Sequence, residues 1–239
     1  MSFWDEFHRF DRMLASVGEE FRVAEAALLF ALDYYPDLDV NRFLKRLDHL
    51  ASQVDRLGAR TLDEQAKALQ TVLVWEEGLK GNQEDYYDSR NSYLNEVLDR
   101  GLGIPVSLSA VWLDVTQNLG WPFHGVGVPG HFVIGGIDGE QRIWLDPFVR
   151  GRILDRAGIE MLVASAGVGE VEDLSYVLRP VTGREILFRM LANLRLVYRE
   201  RREWSRFACV LGRMRAVVPE SEEILLEFRG VLAGLAARG

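Results

Sequence analysis

"PGHFVIGGIDGEQRIWLDPF", residues 129–148, decides how this chain is read. It is short, rich in β-formers and folded about a Gly-bearing dipeptide, whereas most of the chain on either side repeats at helical spacing. With Asp138-Gly139 as the two central residues of a tight turn, the flanking segments form an antiparallel hairpin. Ile137 then faces Glu140 and, counted back along both strands, His131 faces Asp146. Directly opposed side chains have Cβ atoms about 4.5–5.5 Å apart, within reach of an imidazole-carboxylate hydrogen bond. A carboxylate on one ring nitrogen fixes the tautomer and leaves the other nitrogen as a base. A hydrogen-bonded structural histidine is the plainer reading of the same pair. Both depend on an unbroken register through Gly135-Gly136, where a bulge would slip the pairing.

Outward from the hairpin the period is helical. "FHGVGV" at 123–128 adds an extended segment. Upstream, Val23, Ala26, Ala27, Phe30 and Ala31 share one stripe, Leu44, Leu47, Leu50 and Ala51 another, and Thr61 opens a third amphipathic run. Residues 78–92 lose the period and read as a long surface loop, with Asn91 or Ser92 capping the next helix. After the hairpin come a helix in "DRAGIEMLVASA", two long helical runs over 183–204 and 205–217, and a last helix at 221–237 beyond Pro219. Helices, then a small antiparallel sheet, then helices, is an α+β order.

The chain has 239 residues, 48% of them hydrophobic, enough for one substantial core with an appended helical part. With 36 acidic against 28 basic residues the net charge is -8, which disfavours nucleic acid and anionic membrane surfaces as partners. The acidic N-terminus is unlike a signal peptide, and no apolar run approaches the roughly 18 residues of a membrane helix, so a cytoplasmic protein is expected. Cys209 is the only cysteine, which leaves no internal disulfide and no thiolate cluster for zinc, and its helical surroundings read as packing for a buried thiol. His8, His49 and His124 lack metal-ligand spacing. No phosphate-binding glycine motif is present, so no metal or cofactor is predicted.

"GIPVSLSAVWLDV", residues 103–115, places Ser107 in the first turn of a helix whose buried stripe is Leu108, Val111, Trp112 and Val115. The positive end of the dipole and free N–H groups favour a nucleophile there, but a hydroxyl needs a general base. The plainer role for Ser107 is an N-cap accepting from the N–H of Ser109 or Ala110.

"YYDSRNSYLNEVLDRGLGIPVSLSAVWLDVTQNLGWP" at 86–122, followed by "GVGVPGHFVI" and "IWLDPF", resembles the SirB-type branch of the transglutaminase-like superfamily. "AALLFALDYYPDLDV", "GLKGN" and "LANLRLVYRERREW" extend the resemblance over roughly residues 20–220. It implies a papain-like α+β core with a triad of Cys, His and Asp, which by position becomes Ser107, His131 and Asp146. The cysteine is replaced by serine, so thioester chemistry is not expected. Asn91 and Asn95 are the candidate amide side chains for such a site.

The implied division is a transglutaminase-like domain with a helical N-terminal part over 1–180 and a C-terminal helical, tetratricopeptide-like region over 181–239. Residues 184–215 hold nine Arg against three Glu, with no Lys or Asp. Such a segment suits an acidic protein partner, an internal contact with the acidic N-terminal helices, or, less well, RNA. The expectation is a noncatalytic protein that binds a protein or peptide partner through the cleft around Ser107, His131 and Asp146, together with the C-terminal helices. The alternative is a Ser-His-Asp hydrolase or acyltransferase acting on amide or ester bonds.

Overall fold

Burial on every side of one helix organises the molecule. The computed structural model describes residues 3–15, 21–165 and 177–237. Helices α1 (Phe3–Ala15), α2 (Val23–Ala31), α3 (Val40–Asp55) and α4 (Leu62–Leu69) form the N-terminal part. Thr61 caps α4 in reciprocal hydrogen bonds with Glu64, and the helix widens into a π-helical stretch over Gln70–Glu76. Two-residue strands β1 (Lys80–Gly81) and β2 (Leu102–Gly103) pair in parallel on either side of α5 (Leu94–Arg100). The central helix α6 (Pro105–Asn118) follows, buried without interruption from Pro105 to Thr116.

Strands β3 (Phe123–Val126), β4 (Val133–Asp138), β5 (Gln141–Asp146) and β6 (Arg152–Leu154) make one antiparallel sheet in sequence order. Alternation along β5 sends Ile143 and Leu145 into the main core and Trp144 to the opposite face, where it packs with Val126, Val133 and Leu154. Helix α7 (Arg156–Ser165) covers that second face through Ile159 and Val163. Three further helices, α8 (Gly183–Glu200), α9 (Trp204–Val217) and α10 (Glu222–Ala236), pack in succession. The main core runs from Phe10 to Ile224 and includes Leu187, Leu194, Leu211 and Met214 of the C-terminal helices.

The hairpin turns one residue later than its sequence indicates. Asp138 pairs with Gln141, so Gly139 and Glu140 are the turn residues, with Gly139 at a φ of 57°. A glycine at the first central position is the other favoured two-residue hairpin geometry. Continued along the strands, this register sets Asp146 level with Val133 rather than His131. The shift is two residues, an even number, so each side chain keeps its face. Neither Asn91 nor Ser92 caps α5: both lie in a 3-10 turn over Ser89–Ser92, and Tyr93 is the N-cap residue. Strand β6 and the π-helical stretch carry no signal in the hydrophobic period.

The Arg-rich C-terminal helices spend several cations inside the molecule. Arg213, 3% exposed, makes a two-pronged ion pair with Asp33 at 2.7 and 2.8 Å, tying α9 to the end of α2. Arg195 meets Glu223 and Glu227 of α10, and at the surface Arg206 pairs with Glu203 while lying over the Tyr34 ring. Removing one partner of a buried pair strands the other charge. Arg213→Ala is therefore expected to cost about 3 kcal/mol in urea unfolding. Exposed Arg215, over the Phe228 ring, should cost less than about 1 kcal/mol when changed to Ala.

Candidate functional site

Ser107 is the third residue of α6, after Pro105 and Val106, and is fully buried. Its Oγ accepts the N–H of Ile104 at 3.1 Å and lies 2.6 Å from the carbonyl of Asn91 and 3.1 Å from that of Ile104. A hydroxyl has one proton to give, and the shorter contact assigns it to Asn91. The expected N-cap role is thus corrected. Ser107 reaches backward to the N–H of the N-cap residue, Ile104, instead of forward to Ser109 or Ala110. Close packing requires glycine beside it, since a Cβ at Gly103 would stand 2.8 Å from Ser107 Oγ.

Asn91 is the other half of this junction. Its Nδ2 donates to the carbonyls of Asp85 and Tyr86, and its Oδ1 accepts from Asn82, so the side chain folds the 82–91 loop onto itself. Neither Asn91 nor Asn95 lines the cleft described below. Among the described residues, Asn95 Oδ1 on α5 is buried without a partner.

His131 sits between the turn at 129–130 and β4, its N–H donating to the Val128 carbonyl. Its Nε2 lies 3.0 Å from Oδ1 of Asp146, a fully buried carboxylate. Asp146 ends β5 and caps the following 3-10 turn, accepting the Val149 N–H, while Arg152 approaches its other oxygen at 3.4 Å. The Phe148 ring meets His131 edge-on at 5.9 Å and touches Tyr86 in the same way.

His131 lines a cleft of about 420 Å³ with Pro105, Val106, Tyr86, Tyr87, Phe132 and Leu196. Arg189 and Asn193 of α8 complete its wall. Burial raises the Tyr86 phenol above its ordinary range, with Tyr87 adding to the shift. Burial likewise draws the Arg189 guanidinium below the usual arginine range. Among the described residues, no Ser, Thr or Cys lines this cleft, and no hydrogen bond joins Ser107 to His131. The cleft offers an oriented imidazole, two phenols, one cation and apolar walls.

The transglutaminase-like superfamily profile matches residues 41–192 of this chain, which takes in the cleft residues from Tyr86 to Arg189 and stops short of Asn193 and Leu196. The chain belongs to the transglutaminase-like superfamily. It is 37% identical over 220 residues to a UPF0162 protein of Xylella fastidiosa (strain 9a5c), covering 89% of this chain and 78% of that one. A UPF0162 protein of Vibrio cholerae is 32% identical over 142 residues, covering 57% of this chain and 53% of that one. F-box only protein 21 of Mus musculus is 31% identical over 135 residues, covering 53% of this chain and 21% of that one.

Other titratable residues of this superfamily member stand apart. His124 on β3 is half-buried, and burial together with Arg142 holds it below the ordinary histidine range. His49 is exposed on α3, and the His8 side chain lies outside the described residues. Cys209 corrects the expectation of a buried packing thiol. It is exposed on α9 and lines a small cavity with Asp33, Tyr34 and Arg213, where burial and Asp33 push the thiol up. Among the described residues, no group of three or more His, Cys, Asp and Glu side chains is placed to hold a metal ion, and no helix is long and apolar enough to cross a membrane.

The contact between His131 and Asp146 fixes a tautomer. With the carboxylate at Nε2, the neutral ring carries its proton there and leaves Nδ1 unprotonated. Long-range nitrogen-proton correlation spectra, recorded above the histidine titration range, should show the Nε2–H form for His131. An Nδ1–H signature would contradict the pairing.

Proposed function

We propose that this chain is a noncatalytic, polypeptide-binding member of the SirB-type branch, in which Ser107 stands at the position of the superfamily's nucleophilic cysteine and serves the fold. The observation that carries the reading is the full burial of Ser107, with its proton committed to the Asn91 carbonyl and its oxygen accepting from Ile104. An attacking hydroxyl must be exposed to substrate and hydrogen-bonded to its base. The cleft's walls favour a polypeptide occupant: aromatic rings with polar tips, an arginine and apolar side chains are the residue types that anchor peptides.

The feature favouring a Ser-His-Asp hydrolase is the pair formed by His131 and Asp146. That pair also has a structural explanation, because Asp146 joins β5, the turn after it and the segment before β4. One experiment separates the two. Incubation with a fluorophosphonate and peptide mapping is expected to leave Ser107 unlabelled. Ser107→Ala should still bind peptides while losing about 1–2 kcal/mol of stability, the cost of stranding a buried donor. A Ser107 adduct that forms in the parent and fails to form in His131→Ala would establish the hydrolase instead.

A further inference from the structure

Arg189, half-buried, differs from other arginines of the C-terminal helices. Arg195, Arg206 and Arg213 each meet at least one carboxylate, and Arg184 donates to the carbonyls of Leu14, Ala216 and Val217. Arg189 has one acceptor, the Val128 carbonyl, reached by one terminal nitrogen at 2.8 Å, and its guanidinium lies 5.5 Å from the Phe132 ring centre. Among the described residues no carboxylate pairs with it, and the rest of its donor fork has no acceptor. A desolvated cation without a counter-charge is costly, and an arriving anion offsets that cost. The planar fork of arginine matches a carboxylate in particular.

Position narrows the source of that carboxylate. Arg189 lines both the His131 cleft and a neighbouring cavity of about 560 Å³ bounded by Gly127, Phe188 and Val217. The side chain, bonded to the Val128 carbonyl, is therefore part of the partition between the two spaces. Arg189 stands where the His131 cleft borders the second cavity, so a chain that ends in the cleft can bring its terminal carboxylate to the guanidinium. The remaining walls, Tyr86, Phe132, Leu196 and Val106, suit an apolar final residue.

We infer that the His131 cleft captures the C-terminal carboxylate of a polypeptide ending in an apolar residue, with Arg189 as the carboxylate-binding group. This assignment rests on reading the cleft as a polypeptide site. It confines the charged part of recognition to one ion pair, in keeping with an otherwise acidic molecule that would repel a strongly acidic ligand.

The test uses the full chain and two probes, N-acetyl-Leu-Phe with a free carboxylate and the same dipeptide as its C-terminal amide. Binding is followed by calorimetry and by the His131 ring and Arg189 Nε signals. The free acid is expected to bind at least about tenfold more tightly than the amide, as a charge-assisted hydrogen bond implies. It should move the His131 signals, and its advantage should vanish in Arg189→Gln and persist in part in Arg189→Lys. Unfolding curves of both variants establish that they are folded. Equal affinity for acid and amide, or a preference that survives Arg189→Gln, overturns the carboxylate assignment and leaves the peptide-binding reading standing. So does tighter binding of an amidated peptide that carries an internal Glu. Shifts at Phe188 and Val217 with none at His131 place the ligand in the other cavity and also overturn it. Failure of the acid, the amide and longer peptides to bind overturns the assignment and the peptide-binding reading together.

Discussion

One hydroxyl group holds the start of the central helix to the loop that walls the cleft. Ser107 Oγ joins the Ile104 N–H, at the head of α6, to the Asn91 carbonyl, at the end of the 82–91 loop. Asn91 in turn folds that loop on itself through the Asp85 and Tyr86 carbonyls. Tyr86 and Tyr87 are thereby fixed on one side of the cleft, and Pro105 and Val106 on another. In a buried setting each of these polar groups would be costly to leave unpaired, so the junction behaves as a unit. A serine suits it because a small hydroxyl can accept and donate at once within the space left by Gly103.

The opposite wall depends on electrostatics. Arginines of α9 and the far part of α8 are drawn to acids just after α2 and on α10, and these pairs set the C-terminal helices against the main core. Among the described residues, Arg189, one helical stretch earlier, meets only a carbonyl and a ring face. The site thus combines two environments: an imidazole whose carboxylate is built in, and a guanidinium whose carboxylate is not. The first is locked by the fold, and the second is the part of the cleft with an interaction left to make.

The sequence showed the order of helices, sheet and helices because its hydrophobic period changes from helical to alternating near Phe123 and back after the hairpin. The contact between His131 and Asp146 survived a wrong turn assignment for a physical reason. A two-residue displacement preserves the face of every side chain, and His131 lies on a loop that can lean toward Asp146 without being opposite it. Ser107 was less legible. A stripe of Leu108, Val111, Trp112 and Val115 suggests a helix with one buried face, yet α6 is covered all round, and helical spacing carries no information about the Asn91 carbonyl sixteen residues earlier. Cys209 was misread for the converse reason: an apolar helical neighbourhood does not say which side of the helix a cavity opens on. Arg189 could not be singled out at all, because its lack of a carboxylate partner is a property of the packed helices and not of the Arg-rich segment.

The burial of Ser107 is the point on which this account turns, and a thiol placed there would report on it directly. In a Cys209→Ala background, the alkylation of Ser107→Cys by iodoacetamide can be compared with the unfolding rate of the same variant. Alkylation is expected to proceed no faster than unfolding, because residue 107 is fully buried. Rapid alkylation of the folded protein, lost when His131 is changed to Ala, would show residue 107 open to the cleft and activated by the imidazole, and would contradict the account.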